Sequence, residues 1–155
     1  MKSPLQQQGF TLIELIVVLV IIGVLAVSLV PRFFSAAGSS EYTYRDQALA
    51  ILYRSQMQAM HCSNAGLCDI PMLQFSSKQL GTTSGCLNNA SHLCIGASES
   101  VSLSFPLSQL RFNSLGQPVD ASLNPICTSG CTLQILGSAT LSVCIESEGF
   151  IHSCG

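Results

Sequence analysis

The chain has 155 residues, of which only 9% are charged and 48% are hydrophobic, and its formal net charge is −2. This length is typical of one compact domain in addition to any membrane segment. From Cys62 onward, two basic side chains stand against five acidic ones. That part of the chain lacks the basic patch with which proteins bind phosphates, so we expect no nucleic-acid partner.

An apolar run dominates the N-terminal part of the chain. Residues 15–30 contain no charged side chain. As a helix, the run from Phe10 to Val30 would be roughly 31 Å long, enough to cross the hydrocarbon core of a bilayer. The sequence therefore predicts a transmembrane helix over 10–30, and Lys2 in the flank before it favours a cytoplasmic N-terminus. Glu14 is the one charge within this segment, and a carboxylate in a membrane helix indicates a function.

The junction before this run predicts a leader peptide of an unusual kind. Ordinary secretory signals have their small-residue cleavage site after the apolar stretch. Here the recognisable junction, Gly9-Phe10, lies before it. Cleavage at this junction would remove residues 1–9 and leave the apolar helix on the mature chain, with Phe10 as the new N-terminal residue.

The heptapeptide from Gly9 to Leu15, GFTLIEL, resembles the signature of type IV prepilins. The resemblance implies that a prepilin peptidase cleaves between Gly9 and Phe10, that Phe10 is N-methylated, and that Glu14 serves assembly. It also implies storage in the inner membrane with a periplasmic C-terminal domain, followed by assembly with other major and minor pilins into a cell-surface pilus. Within one chain Glu14 is poorly placed to pair with the α-amine of Phe10, so the expected partner is the amine of a neighbouring subunit.

Residues 31–61 predict an amphipathic continuation of the helix, kinked at Pro31 and weakened at Gly38. Apolar side chains recur there at three- and four-residue spacings. The pattern predicts one buried face, made of Leu49, Leu52, Tyr53, Met57 and Met60. The turn-forming residues 63–66 end the helix near His61.

Residues 62–155 predict short strands separated by turns, in a cysteine-rich periplasmic domain. Apolar and polar residues alternate over 101–105, 133–135 and 141–145, with further candidate strands at 70–75, 110–112 and 150–152. The pattern predicts that the strand at 110–112 continues the strand at 101–105 after Pro106. We therefore expect an α+β fold, in which a long N-terminal helix packs on a small antiparallel β-sheet domain with disulfides.

All eight cysteines lie in this domain, and an even number in an exported domain predicts a disulfide framework. Their clustering along the chain favours local pairs. The predicted pairs are Cys62–Cys68, Cys86–Cys94, Cys127–Cys131 and Cys144–Cys154.

No catalytic residue, cofactor or metal site is predicted. Each of the three histidines stands near a cysteine, but the chain has no CxxC pair, and oxidised cysteines do not hold zinc. The serine-rich segments contain no GxSxG elbow. We therefore expect a non-enzymatic protein, and a membrane-anchored exported enzyme is kept as an alternative.

The C-terminal tail carries a second resemblance. Phe112, Gly116, Pro118 and Gly149 are spaced as in minor pilins, including H-type pseudopilins of type II secretion and FimT-type pilins. With residues 31–34 included, the chain is most similar to minor pilins of the mannose-sensitive haemagglutinin (MSHA) pilus. The resemblance implies a minor structural subunit of a type IV pilus. The alternatives are a minor pseudopilin of a type II secretion system and a DNA-binding competence pilin, although the tail lacks the arginines of FimT-type DNA binders.

Overall fold

The structure, a computed structural model, describes residues 11–34, 39–62, 70–82, 85–86 and 89–155. The chain divides into two compact units, with the boundary between Ala36 and Ala37. In the described residues, the N-terminal unit contains helix α1 (Leu12–Phe34). The C-terminal unit contains helix α2 (Ser39–His61) and the β-strands, so the predicted α+β fold is confirmed.

The strands within the described residues form two antiparallel sheets. The first has the strand order β3-β2-β1-β5-β6, and the second has the order β4-β7-β8-β9. Their bounds are β1 Leu73–Ser76, β2 Gln79–Gly81, β3 His92–Cys94, β4 Ser102–Ser104, β5 Gln109–Phe112, β6 Pro118–Val119, β7 Cys131–Leu136, β8 Thr140–Ile145 and β9 Ile151–Cys154. The expected continuation of 101–105 into 110–112 is wrong, because β4 and β5 belong to different sheets. Pro106 lies between them and cannot donate to a ladder.

The hairpin of β7 and β8 forms the centre of the second sheet. Leu133 and Ile135 in β7, and Val143 and Ile145 in β8, have no exposed surface. Leu133 lies opposite Val143 in the register of the two strands. The side chains between them on β7 point to solvent, so the predicted alternation corresponds to one buried and one exposed face.

Helix α2 packs against strands of both sheets through a face different from the predicted one. Its buried residues follow helical spacing and include small side chains, which allow close approach to the sheets. These residues are Ala48, Ile51, Leu52, Ser55 and Ala59. The prediction is correct for Leu52, which is buried, and for Leu49, which is partly buried against the core. It is wrong for Tyr53, Met57 and Met60, which are 43%, 58% and 53% exposed.

Candidate processing and assembly segment

The predicted processing residues, Gly9 and Phe10, lie outside the described residues. Glu14 is described, and it lies exposed in the first turn of α1. Cleavage, N-methylation and the assembly role of Glu14 therefore remain predictions, and the structure contributes the local setting of Glu14.

Thr11 caps the start of α1. Its Oγ1 accepts a hydrogen bond from the backbone N–H of Glu14 at 3.3 Å, and its carbonyl accepts one from Leu15 at the same distance. Thr-x-x-Glu is the capping-box pattern, and a carboxylate in the first turn is favoured by the helix dipole. Glu14 thus contributes to the start of the helix, a local role that the Thr11-x-x-Glu14 spacing could have indicated from the sequence.

Helix α1 carries exposed apolar side chains all around its circumference. Between Leu12 and Leu25 its large apolar side chains are 46–76% exposed. In the described part of the chain, no helix reaches the combined length and hydropathy that marks a membrane span.

Three of the four predicted disulfides are present in the structure. Their Cα–Cα distances are 5.7 Å for Cys86–Cys94, 5.0 Å for Cys127–Cys131 and 5.9 Å for Cys144–Cys154. Cys62 is also disulfide-bonded. Cys68 lies outside the described residues, so the pair Cys62–Cys68 stays a prediction.

A buried carboxylate at the start of α2 connects this helix to the second sheet. Glu41 is only 1% exposed, and its Oε1 accepts a hydrogen bond of 2.6 Å from the backbone N–H of Ser138, in the turn between β7 and β8. Hydrogen bonds from its own backbone N–H, and then from Ser138, Ser40 and Ala139, lower the pKa of Glu41 although burial opposes this effect. Sequence patterns did not indicate this contact, because its partners are 97 residues apart.

We expect the stabilising contribution of Glu41 to disappear in acid. Since its folded-state pKa is lowered from an ordinary value of 4.5, the contribution is complete above about pH 4.5 and is lost as the pH falls through the folded-state pKa. Thermal unfolding of the wild type and of Glu41→Gln, measured from pH 7 to pH 3, should show the wild type losing its advantage in this range. A constant difference across that range would contradict this role.

A second polar contact holds two turns against α2. Gln56 Nε2 donates to the carbonyl of Gly116 at 2.8 Å and to that of Gly149 at 2.6 Å. Both glycines have positive φ, of 80° and 91°. A Cβ added at Gly149 would overlap the Gly116 carbonyl, so this junction has no room for a side chain there. The structure therefore brings together two glycines of the tail pattern that resembles minor pilins.

Two of the three histidines near cysteines, His92 and His152, contact neighbouring polar groups. His92 Nδ1 lies 2.8 Å from Asn89 Oδ1. His152 Nε2 lies 3.2 Å from Glu146 Oε1, and its Nδ1 lies 3.1 Å from the carbonyl of Ser153. The contact with Glu146, followed by that with Ser153, raises the pKa of His152. Among the described residues, no three potential metal ligands lie together.

Comparison with known proteins agrees with these features. A family model for the prokaryotic N-terminal methylation motif matches residues 5–30. No curated protein matches the chain significantly. The crystal structure of the type IV minor pilin FimU from Pseudomonas aeruginosa strain PAO1 is similar to this structure, with a TM-score of 0.55 and 13% identity over 77% of this chain and 92% of that chain. At this identity the similarity concerns the fold. The chain therefore combines an N-terminal methylation motif with a fold similar to that of a type IV minor pilin.

Proposed function

We propose that this chain is a minor structural subunit of a type IV pilus, cleaved by a prepilin peptidase between Gly9 and Phe10 and assembled through its N-terminal helix. One observation carries the proposal: a methylation motif over residues 5–30 stands on a chain whose fold is similar to that of a minor pilin. Neither the motif nor the fold similarity is sufficient alone to assign the function. The motif covers a short part of the chain, and a shared fold does not by itself establish a function.

The surface of α1 supports assembly through this helix. A helix with apolar side chains all around its circumference is stable when it is buried, in a membrane or among other helices. The exposed side chains from Leu12 to Leu25 therefore need a covering environment. In the proposed cycle the helix is held in the inner membrane as a single span over 10–30. It then exchanges lipid contacts for contacts with other pilins in the filament.

The chemistry of the cysteines supports an exported C-terminal unit. Each cysteine that the structure describes is in a disulfide. Disulfides form and persist in the periplasm and outside the cell, and they are rare in the cytosol. This favours an orientation in which residues 1–9 face the cytoplasm and the C-terminal unit faces the periplasm.

Within type IV pilins we propose the MSHA-like group, with MshC as the minor pilin that the chain resembles most. The support is the resemblance of residues 31–34 and of the tail pattern that includes Gly116 and Gly149. The structure adds that these two glycines meet at Gln56. Deleting the gene in its own host distinguishes a pilus subunit from a minor pseudopilin of type II secretion. Loss of pili indicates a pilus subunit, whereas loss of secreted enzymes with intact pili indicates a pseudopilin.

The direct test of the function is the location of the protein. We expect a C-terminally tagged chain to appear in the sheared filament fraction of its own host, and to remain in the membrane fraction when the prepilin peptidase gene is deleted. The major pilin in the same fractions serves as the control for filament recovery. Normal filament yield with the tagged chain confined to the membrane in the wild-type host would contradict the proposal.

A further inference from the structure

One face of α2 carries an exposed apolar strip that borders β9, where the hydroxyl of Tyr53 donates to the carbonyl of Ile151. Tyr53, Met57 and Met60 follow one another at spacings of four and three residues and are all roughly half exposed. Spacings of four and three residues place them on one face of the helix, opposite the buried face that contains Ser55. Contiguous exposed apolar side chains on a soluble unit mark interaction sites more often than isolated ones do.

Two turns extend this strip to one side of the helix. Leu115 precedes Gly116 and is 73% exposed, and Phe150 follows Gly149 and is 64% exposed. Because Gln56 holds the carbonyls of both glycines, the backbone of these two turns lies beside α2. The ring of Phe150 also stacks on His152, with 4.8 Å between the ring centroids. The five exposed side chains form what we call the outer apolar surface, which consists of Tyr53, Met57, Met60, Leu115 and Phe150.

Opposite charges flank the outer apolar surface. Arg54 is exposed on one flank, about 100° around the helix from Tyr53. Within the described residues, it makes no ion pair or hydrogen bond. Glu148 is exposed on the other flank, in the turn that Gln56 holds. Its Oε2 accepts a hydrogen bond of 3.1 Å from Gln117, a neutral donor, so its negative charge is not neutralised within the described part of the chain.

We propose that the outer apolar surface binds the same surface of a second copy of this chain, with Arg54 of each copy paired to Glu148 of the other. A twofold axis parallel to α2 places the positive flank of one copy against the negative flank of the other. Gln56 holds the carbonyl of Gly149, the residue after Glu148, and it is two residues from Arg54, about 3 Å of helix rise. Arg54 and Glu148 therefore lie at similar heights along α2. An axis perpendicular to α2 would set Arg54 against Arg54.

This arrangement makes the two α2 helices run parallel. Both copies then start α2 at the same end of the dimer, which suits two chains anchored in one membrane. The anchoring rests on the proposed function, whereas the charge pairing does not depend on it. A lipid surface or a different pilin would use the same apolar side chains, but neither requires Arg54 and Glu148 to compensate each other.

The test is charge-swap rescue between two differently tagged full-length copies, co-expressed and extracted in mild detergent. We expect Arg54→Glu in both copies, or Glu148→Lys in both, to lower the co-purified fraction about tenfold, because like charges then face each other. Arg54→Glu in one copy with Glu148→Lys in the other should restore it. Ser98→Glu, an added charge at an exposed loop position outside this surface, is the control and should have no effect.

Two outcomes would overturn this interface: co-purification that both single variants leave unchanged, or losses that the combined variants do not restore. Either failure is distinguishable from failure of the proposed function, because cleavage and filament location are measured separately. Circular dichroism of each variant checks that the fold is intact, which we expect because neither Arg54 nor Glu148 is buried.

Discussion

Glu14→Val is expected to reduce incorporation of the chain into filaments by about two orders of magnitude. In the proposed filament, the carboxylate of Glu14 meets the α-amine of Phe10 of a neighbouring subunit in an apolar environment. Removing one side of a buried pair typically costs about 3–5 kcal/mol, because the other charge stays buried without compensation. A change of about 1.4 kcal/mol is already tenfold in an equilibrium constant. The measurement is the number of tagged subunits in sheared filaments, with membrane insertion and cleavage checked in parallel.

Glu14→Gln separates the two roles of this residue. The hydrogen bond from the backbone of residue 14 to Thr11 does not require a carboxylate, and glutamine also fits the capping-box pattern. Glutamine removes the charge while keeping a hydrogen-bond acceptor, so we expect a defect smaller than that of valine but clearly measurable. Wild-type incorporation of Glu14→Val would show that the interchain pair is not the mechanism for this subunit.

Removing the Cys144–Cys154 disulfide is expected to lower the free energy of unfolding by about 2–4 kcal/mol. Among the described strands, β9 lies at the edge of the second sheet and pairs with β8 alone. The disulfide joins these two strands, and Tyr53 of α2 donates its hydroxyl to the Ile151 carbonyl at 2.5 Å. For a unit of this size, we expect the double variant Cys144→Ser, Cys154→Ser to melt roughly 10 °C lower.

The Cys127–Cys131 pair provides the matched control for this variant. Its sequence separation is 4, against 10 for Cys144–Cys154, and a shorter loop loses less entropy when it is closed in the unfolded chain. Replacing Cys127 and Cys131 by serine should therefore have the smaller effect. Thermal unfolding followed by circular dichroism compares the two variants. Equal melting temperatures for the Cys144/Cys154 variant and the wild type would contradict the role of this bridge.

Strands β7 and β8 could be predicted from the sequence because each has six residues and one buried face, which produces clear alternation. Strands β2, β3 and β6 have only two or three residues, too few to show a period. Their pairing depends on partners elsewhere in the sheet. The sequence therefore indicates the architecture, while the division into two sheets follows from long-range contacts.

The buried face of α2 could not be predicted because residue size is a poor guide where a helix lies close to a sheet. Ala48 and Ala59 are buried, while the larger Met57 and Met60 are exposed. At the candidate site, the GFTLIEL motif was visible as a short pattern, and so was the capping spacing of Thr11 and Glu14. Contacts made by Glu41 and Gln56 were not, because the residues that they join are 60 to 97 positions apart.

The central claim is tested most directly by the mass of the N-terminus after co-expression with a prepilin peptidase. We expect the mature chain to lack residues 1–9 and to begin with N-methylated Phe10. Gly9→Leu, which changes only the residue before the cleaved bond, should keep the full leader and an unmethylated Phe10. A wild-type chain that retains residues 1–9 in the presence of a peptidase shown to cleave another prepilin would contradict the account.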